Sequence, residues 1–258
     1  MTSDRPSPRA SASEPAPPPA HPGAEPEPGI EPEPEPPADP EPLPPADAAL
    51  RIRRVARRAR YDRETVDAIV DAALVAHVGT VRDGKPIVIP MLCVRDGDRL
   101  LLHGAPVAGV LRRARELDVC VTMTLLDGLV LARSAFHHSM NYRSVVVLGR
   151  AQLITDETER ARALEILTER LVPGRAARLR PTSRAELRQT AVLQLSLERS
   201  SAKIRTGPPV DDEEDYDWPV WAGVLPVTTR IGVPEADPRL EAGVEVSEDV
   251  ATLVDRQL

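Results

Sequence analysis

The sequence predicts a mainly β protein, in which about six short strands form an antiparallel barrel with peripheral helices. Short runs of β-branched and aliphatic residues are separated by Asp-Gly pairs, which mark tight turns. The helical segments are inserted between groups of strands, whereas a doubly wound sheet would need a helix after each strand. A proline-rich stretch precedes the barrel, because residues 1–48 hold 17 of the 28 prolines.

The proline-rich stretch differs from the rest of the chain in charge as well. It carries ten acidic residues and two arginines, which leaves 31 basic and 30 acidic residues elsewhere, so the formal net charge of −7 comes from this stretch. The Glu-Pro repeats of residues 25–37 cannot bury enough apolar area to offset chain entropy, and proline removes backbone donors. Residues 1–49 are therefore predicted to be a disordered arm. A recognition motif for a proline-binding partner is the alternative.

The remaining composition favours a cytoplasmic protein that does not bind membranes. No apolar run is long enough to cross a bilayer, and the first residues have no apolar signal core. Cys93 and Cys120 lie far apart in strand-like segments, as reduced core thiols do. With one Phe, two Trp and three Tyr in the chain, the core is expected to be aliphatic.

Turn and cap signals divide the first part of the chain into one helix and three strands. Asp62 is a predicted N-cap, and apolar residues at helical spacing follow it, so a helix should run from there to near His77. Strands are predicted at residues 76–81, 86–94 and 99–103, with tight turns at Asp83-Gly84 and Asp96-Gly97. The arginine-rich residues 51–60 contain no interleaved aromatic residues, so nucleic-acid binding is not expected.

The second part of the chain alternates less regularly. A short helix is predicted over residues 107–117, and capping signals predict further helices after Asp156 and Ser183. Strands are predicted at residues 119–126, 129–134, 142–153 and 192–197, the last of them continued by residues 203–206. A turn is predicted at Asp127-Gly128.

An ordered set of motifs resembles one known family. The motifs are His77-Val78-Gly79-Thr80, Gly84-Lys85-Pro86, Leu101-Leu102-His103-Gly104, residues 134–145, Lys203-Ile204-Arg205-Thr206-Gly207 and residues 219–226. Together they resemble the pyridoxamine 5′-phosphate oxidase-like split-barrel proteins, in the flavin-nucleotide-binding branch that includes nitroimidazole-resistance-type proteins. The resemblance predicts an FMN-binding split-barrel domain over residues 50–227, followed by a weakly structured tail at residues 228–258.

The resemblance implies a homodimer with FMN in two equivalent clefts between the subunits, and redox chemistry on an unidentified small molecule. The flat isoalloxazine ring needs an apolar slot, and the candidate wall is Val88, Ile89, Pro90 and Met91. His103 ends a strand and is the candidate to approach the flavin and transfer a proton. The alternative for His103 is a histidine that only terminates the strand.

The flavin phosphate needs backbone N–H groups at a helix start together with a cation. Gly104 and Ala105 lead into the predicted helix and are candidate phosphate contacts. The sequence departs from the family pattern here, because the usual hydroxyl and the neighbouring cation are missing. Arg112 and Arg113, about one helical turn later, are candidates to replace the cation. Without such a replacement the FMN affinity would fall, since a charged contact contributes about 1.5–3 kcal/mol.

Polar residues on a later strand are further candidate cofactor contacts. Asn141 and Arg143 share one face of this strand, while Tyr142 and Ser144 share the other. Asn141, Arg143 and Ser144 are the predicted contacts. For Arg143, an ion pair at a subunit interface is an equal alternative.

Two more basic residues and two histidines complete the candidates. Lys203 and Arg205 lie on the same side of a late strand and are predicted near the flavin or its phosphate, with a solvated basic face as the alternative. His137 and His138 are adjacent, and no further ligand follows at metal spacing, so no metal site is expected.

Three functions remain open from the sequence. The leading one is an FMN-dependent oxidoreductase. The second is a non-catalytic flavin-binding or flavin-storage protein, which the missing phosphate contacts favour, and the third is a relative that uses a deazaflavin or a haem. Hydrolase motifs are absent, since the chain has no Gly-x-Ser-x-Gly, no His-Glu-x-x-His and no phosphate-binding Gly-rich loop.

Overall fold

The protein is represented by a computed structural model that describes residues 47–104 and 116–256. The strands are β1 Ala59–Arg60, β2 Val75–Arg82, β3 Lys85–Asp96, β4 Arg99–Gly104, β5 Glu116–Leu131, β6 Ser139–Leu153, β7 Ala191–Ser196, β8 Ser200–Arg205 and β9 Gly223–Pro226. The helices are α1 Arg63–Ala72, α2 Glu157–Leu171, α3 Arg184–Gln189 and α4 Glu248–Ala251. Almost all of the predicted arm lies outside the described residues, as do Ala105, Arg112 and Arg113.

The strands form one antiparallel sheet that closes on itself. Their order is β1-β8-β6-β7-β4-β3-β2-β5-β9, and an additional pairing of β5 with β6 joins the two sides. This pairing produces a ring of six strands, β6-β7-β4-β3-β2-β5. The predicted six-stranded antiparallel barrel is therefore confirmed. β1, β8 and β9 extend the sheet beyond the ring.

The described core is aliphatic, as expected from the composition. Its main cluster fills the ring and is formed by strand residues such as Leu100, Leu102 and Leu193, together with residues of α1. A smaller cluster lies under α2 on the outer side of the sheet, and its members are Val94, Leu101, Ile154, Ala163, Leu167 and Val192. No aromatic ring belongs to either cluster in the described ranges.

The helices cover the ring with narrow apolar stripes. α1 buries Val66, Ile69 and Val70, which follow the helical spacing predicted for one face. α2 buries Ala163 and Leu167, four residues apart. Among the described residues, no helix is both long and apolar enough to cross a membrane.

Helix caps form where the sequence predicts them. The carboxylates of Asp62 and Asp156 each accept a hydrogen bond of 2.8 Å from the backbone N–H three residues later. At the start of α3, the reciprocal bonds of the predicted capping box between Ser183 and Glu186 are both present. These bonds satisfy donors that the first helical turn leaves free.

The first hairpin also follows its turn signal. Arg82 pairs with Lys85 across a two-residue loop. In this loop Asp83 and Gly84 have φ angles of 50° and 73°. Two successive positive φ angles are the backbone of the hairpin turn that Asp-Gly favours.

The predicted end of the first helix is wrong. α1 ends at Ala72, and β2 begins at Val75, so His77 lies within a strand. The segment is extended because β2 pairs with β3 on one side and with β5 on the other. Strand pairing on both sides outweighs a weak helical spacing, since tertiary context overrides local propensity.

The predicted turn at Asp127-Gly128 is also wrong. β5 continues through both residues, and its register against β6 shifts between Leu126 and Gly128, as in a β-bulge. Gly128 is needed because β9 approaches closely: a Cβ at this position would lie 3.0 Å from the carbonyl oxygen of Leu225. Glu116 and Leu117, assigned from the sequence to a helix, belong to the same strand.

Residues 192–197 and 203–206 do not form one continuous strand. They correspond to β7 and β8, which pair with different parts of β6. β7 pairs at Gln152 and Leu153, whereas β8 pairs from Tyr142 to Val147. Both strands run antiparallel to β6, so β8 continues the direction of β7 along β6 after a bend at residues 197–199.

Candidate functional site

An open groove lies on the outer face of the sheet where β2 runs between β3 and β5. Its floor is Gly79, which is in register with Val88 of β3 and Cys120 of β5. A Cβ at Gly79 would lie 3.3 Å from the carbonyl oxygen of Cys120 and 3.9 Å from Cγ2 of Val88. The groove has a volume of about 670 Å³, which is in the range of cofactor sites. Because Gly79 has no side chain, the surface of the sheet is flat at this point, and any other residue here would fill part of the groove.

The predicted apolar wall is divided between the two faces of β3. Val88 and Pro90 are exposed on the outer face. Met91 packs against the main core, and Ile89 is in register with the buried Val78. Because side chains alternate along a strand, Val88 and Pro90 share the outer face, and of the four only Val88 lines the groove.

His77 projects from the same outer face as the groove. It lies two residues before Gly79 on β2, is exposed, and is flanked in register by Pro90 and Thr122. An accessible imidazole beside an apolar groove is available as a metal ligand or hydrogen-bonding group. The sequence analysis placed His77 both near the helix end and in the strand predicted at residues 76–81, and it did not select this residue as a candidate. The alternation of exposed and buried residues along β2 is the signal that identifies it.

His103 also lies on the outer face of the sheet. It shares a side of β4 with Leu101, which packs under α2, and it pairs with Val192 of β7. The side chain is largely accessible, yet burial of part of the ring lowers its pKa below the ordinary value. A lowered pKa favours the neutral form of the imidazole. Gly104 is the last residue of β4 and pairs with Ala191.

Asn141 and Arg205 are brought together in a buried polar cluster at the ends of β6 and β8. The Arg205 guanidinium donates to Asn141 Oδ1, to the carbonyl of Gly207 at 3.3 Å and to that of Pro208 at 3.2 Å. Asn141 Nδ2 donates to the same Gly207 carbonyl at 3.1 Å. Within the described ranges no carboxylate pairs with Arg205, and burial lowers its pKa. This cluster, named here the β6–β8 cluster, holds the turn after β8.

Arg143 makes an ion pair within its own chain. Its Nη2 and Nε atoms lie 2.7 Å from Oδ1 and 3.0 Å from Oδ2 of Asp127. The hydrogen bond to Asp127 raises the pKa of Arg143. Asp127 is therefore a partner that the sequence analysis missed, because it read this residue as part of a turn.

Ser144 and Lys203 face each other across β6 and β8. They are paired in register, and Ser144 Oγ donates to the backbone carbonyl of Lys203 at 3.3 Å. The predicted contacts thus fall into two groups. Val88, Pro90 and His103 lie on the outer face of β3 and β4, while Asn141, Arg143, Ser144, Lys203 and Arg205 lie along β6 and β8.

Comparison with known proteins identifies the family. A family model described as pyridoxamine 5′-phosphate oxidase matches residues 62–204. The solved flavocytochrome Anf3 from Azotobacter vinelandii is 45% identical, with a TM-score of 0.77, and the match covers 80% of this chain and 97% of that one. The FAD and heme binding protein from Mycobacterium smegmatis is 36% identical, with a TM-score of 0.73, covering 77% and 98%. No protein with a curated description matches the chain. The chain therefore belongs to the pyridoxamine 5′-phosphate oxidase family of flavin-binding split-barrel proteins.

Proposed function

We propose that this chain is a flavin-dependent oxidoreductase that also binds haem. One observation carries the proposal: the chain is similar, over nearly their whole length, to two solved proteins named a flavocytochrome and an FAD and heme binding protein. The oxidoreductase activity predicted from the sequence agrees with this pair of redox cofactors. Its substrate is an unidentified small molecule.

The flavin predicted from the sequence is FMN, whereas the Mycobacterium smegmatis protein is named for FAD. The two share the isoalloxazine ring and its phosphate, so the same groove residues serve both. We expect FAD in this chain on the strength of that similarity. Mass spectrometry of the flavin released by heat or acid distinguishes the two by the adenylate group.

The groove residues fit a planar aromatic group. Gly79 leaves a flat floor, and Val88 and Pro86, which line the groove, supply apolar contacts for the isoalloxazine ring. When bound, the flavin supplies one- and two-electron transfer. His103 lies on the same outer face, and its lowered pKa favours the neutral imidazole, which is the form that accepts a proton.

His77 is the residue that we assign to haem binding. Histidine is a usual axial ligand of haem iron, and this one projects beside the apolar groove. Haem also needs apolar surface, and Val75, on the same face of β2 as His77 and outside the flavin groove, is 51% exposed. Exposed apolar residues of this kind also agree with the predicted homodimer, in which a second copy would cover them.

The test is to purify the full chain after expression with a haem precursor and riboflavin, and to record its absorption spectrum. We expect a Soret band together with a flavin band, and a dimeric mass by light scattering. A protein that takes up neither cofactor, even after incubation with both, would contradict the proposal.

The His77 assignment has its own test. His77→Ala should lose the Soret band and keep the flavin band. The matched control is His138→Ala, because His138 is also exposed but its Nδ1 lies 2.8 Å from the carbonyl of Ser134, away from β2. Loss of haem from the control alone would move the ligand to His138 and leave the wider proposal intact.

A non-catalytic flavin carrier is the second candidate function. The missing hydroxyl and cation of the family phosphate motif favour it, since they predict weak binding. Repeated anaerobic reduction and reoxidation of the bound flavin, with NADPH and an electron acceptor, would support the enzyme. Rapid exchange with free flavin and no turnover would support the carrier.

A further inference from the structure

The loop after β8 is tied to the turn before β6 by a buried ion pair. Asp211, whose side chain is fully buried, accepts hydrogen bonds from the backbone N–H of Arg133 at 2.9 Å and from its Nη1 at 3.0 Å. Burial alone would raise the pKa of Asp211, but these hydrogen bonds outweigh burial and lower it. The guanidinium of Arg133 also lies 4.8 Å from the ring centre of Tyr216. Residues 211–216 are therefore held against the segment that begins at Arg133.

This contact brings His137 to two carboxylates from the other loop. Its Nε2 lies 3.2 Å from Oδ2 of Asp212. One ligand atom each from His137, Asp212 and Asp215 lies within 4.8 Å of the others. The His137 Nε2 atom is buried and has no hydrogen-bond partner among the described residues, so its contact with Asp212 lacks hydrogen-bond geometry.

The charge balance at this cluster favours a cation. Asp212 and Asp215 bring two carboxylates to this cluster, and three more acidic residues, Glu213, Glu214 and Asp217, lie in the same loop. Arg133 is already paired with Asp211, and in the described parts of the chain no arginine or lysine pairs with Asp212 or Asp215. Like charges held this close repel each other unless a cation neutralises them.

We propose that His137, Asp212 and Asp215 bind a divalent transition-metal ion of the Zn²⁺ type. One imidazole nitrogen and two carboxylate oxygens are usual ligands of Zn²⁺, and three protein ligands leave a position for water. The ion would join the turn before β6, which holds His137, to the loop after β8, which holds Asp212 and Asp215. This site is independent of the proposed flavin and haem sites.

The sequence analysis did not expect this site because it searched for ligands near His137 in sequence. The carboxylate ligands come from a loop that follows three further strands of the sheet, so no local spacing reveals them. Only the return of the chain along β8 brings the acidic loop to His137.

The experiment uses the full chain, treated with EDTA and dialysed, and titrated with ZnCl₂ in a calorimeter. We expect one Zn²⁺ per chain and a higher melting temperature in its presence. His137→Gln and Asp215→Asn should each weaken binding at least about tenfold and remove the shift in melting temperature. Both variants keep a polar side chain of similar size at a partly exposed position, so circular dichroism should report an unchanged fold.

Two matched controls separate a built site from general surface binding. His138→Gln removes the adjacent histidine, and Asp217→Asn removes a carboxylate of the same loop that is outside the cluster. Both should bind Zn²⁺ like the unchanged chain. Absence of binding, or equal weakening in the controls and in the ligand variants, would overturn the proposal. Haem content should be unchanged in His137→Gln, which distinguishes this site from the haem ligand.

Discussion

The interior of the barrel and the β6–β8 cluster bury their residues by different means. The interior is filled by side chains such as Leu100, Leu102 and Met123, which are at most 1% exposed and offer almost nothing to hydrogen-bond. Cys93 lies there too, and burial raises the pKa of its thiol to about 11, so it stays neutral. In the β6–β8 cluster, by contrast, Asn141 and Arg205 are buried as polar groups and depend on specific partners.

The difference matters because the two regions fail in different ways. A core of aliphatic residues depends on volume, and it tolerates exchanges that preserve volume. A buried polar cluster depends on each hydrogen bond, since a donor or acceptor without a partner carries its full desolvation cost. The barrel interior therefore provides stability, whereas the hydrogen bonds of the β6–β8 cluster fix the conformation of the turn after β8.

The largest expected effect is in the interior. Leu102→Ala should lower the free energy of unfolding by about 2–5 kcal/mol, because it leaves a cavity in a site with 1% exposure. Urea denaturation measures this loss. Val88→Ala, at a residue that is 63% exposed, is the control and should change stability by less than about 0.5 kcal/mol. Similar losses in both variants would mean that the core is not where the structure has it.

A smaller effect is expected in the β6–β8 cluster. Arg205→Lys keeps the charge but removes the planar fork that reaches Asn141, Gly207 and Pro208, so unfolding free energy should fall by about 1.5–3 kcal/mol. Arg184→Lys is the control, because its side chain is 87% exposed. Denaturation and bound-flavin content should be measured together. A loss of flavin with unchanged stability would favour the cofactor contact predicted from the sequence over a structural role.

The next effect concerns a helix cap. Asp156→Ala removes the carboxylate that accepts from Glu159 N–H at 2.8 Å, and this should cost about 1 kcal/mol of stability. Glu165→Ala, in the exposed middle of the same helix, is the matched control and should have little effect. Equal stability of the two variants in urea would contradict the cap.

The smallest predicted effect is a change in stability at acidic pH. The hydrogen bond from Arg180, followed by those from Ser183, lowers the pKa of Glu186 from 4.5 to about 2. A carboxyl group with a lowered folded-state pKa stabilises the protein above its ordinary pKa, and this contribution disappears as pH falls from about 4.5 to about 2. The difference in melting temperature between the unchanged chain and Glu186→Gln should therefore shrink over that range. A difference that stays constant with pH would contradict the assignment.

The sequence predictions were most accurate for features that depend on residues close together in the sequence. The caps at Asp62 and Asp156 and the turn at Asp83-Gly84 were located correctly, because each depends on residues within three or four positions. The continuation of β5 through Asp127-Gly128 was not predicted, since a turn and a bulge share the same residue types.

The candidate site shows the same difference between residues that local sequence identifies and partners that only the fold brings together. The sequence analysis named Val88, Ile89, Pro90 and Met91 as one wall, whereas the structure divides them between two faces of β3. The groove also needs Gly79 and Cys120 from strands that meet only in the folded sheet. Arg143 was identified as a candidate, and its partner Asp127 was not.

Composition, caps and strand patterns were sufficient to predict an aliphatic antiparallel barrel, because these signals are local. The family was predicted separately, from the resemblance of an ordered set of motifs to the pyridoxamine 5′-phosphate oxidase-like proteins. The pairing of β5 with β6 that closes the ring, and the contact of Asp212 with His137, follow from long-range approach of the chain. Such contacts depend on which surfaces are buried together, and this is a property of the whole packed chain that no short segment encodes.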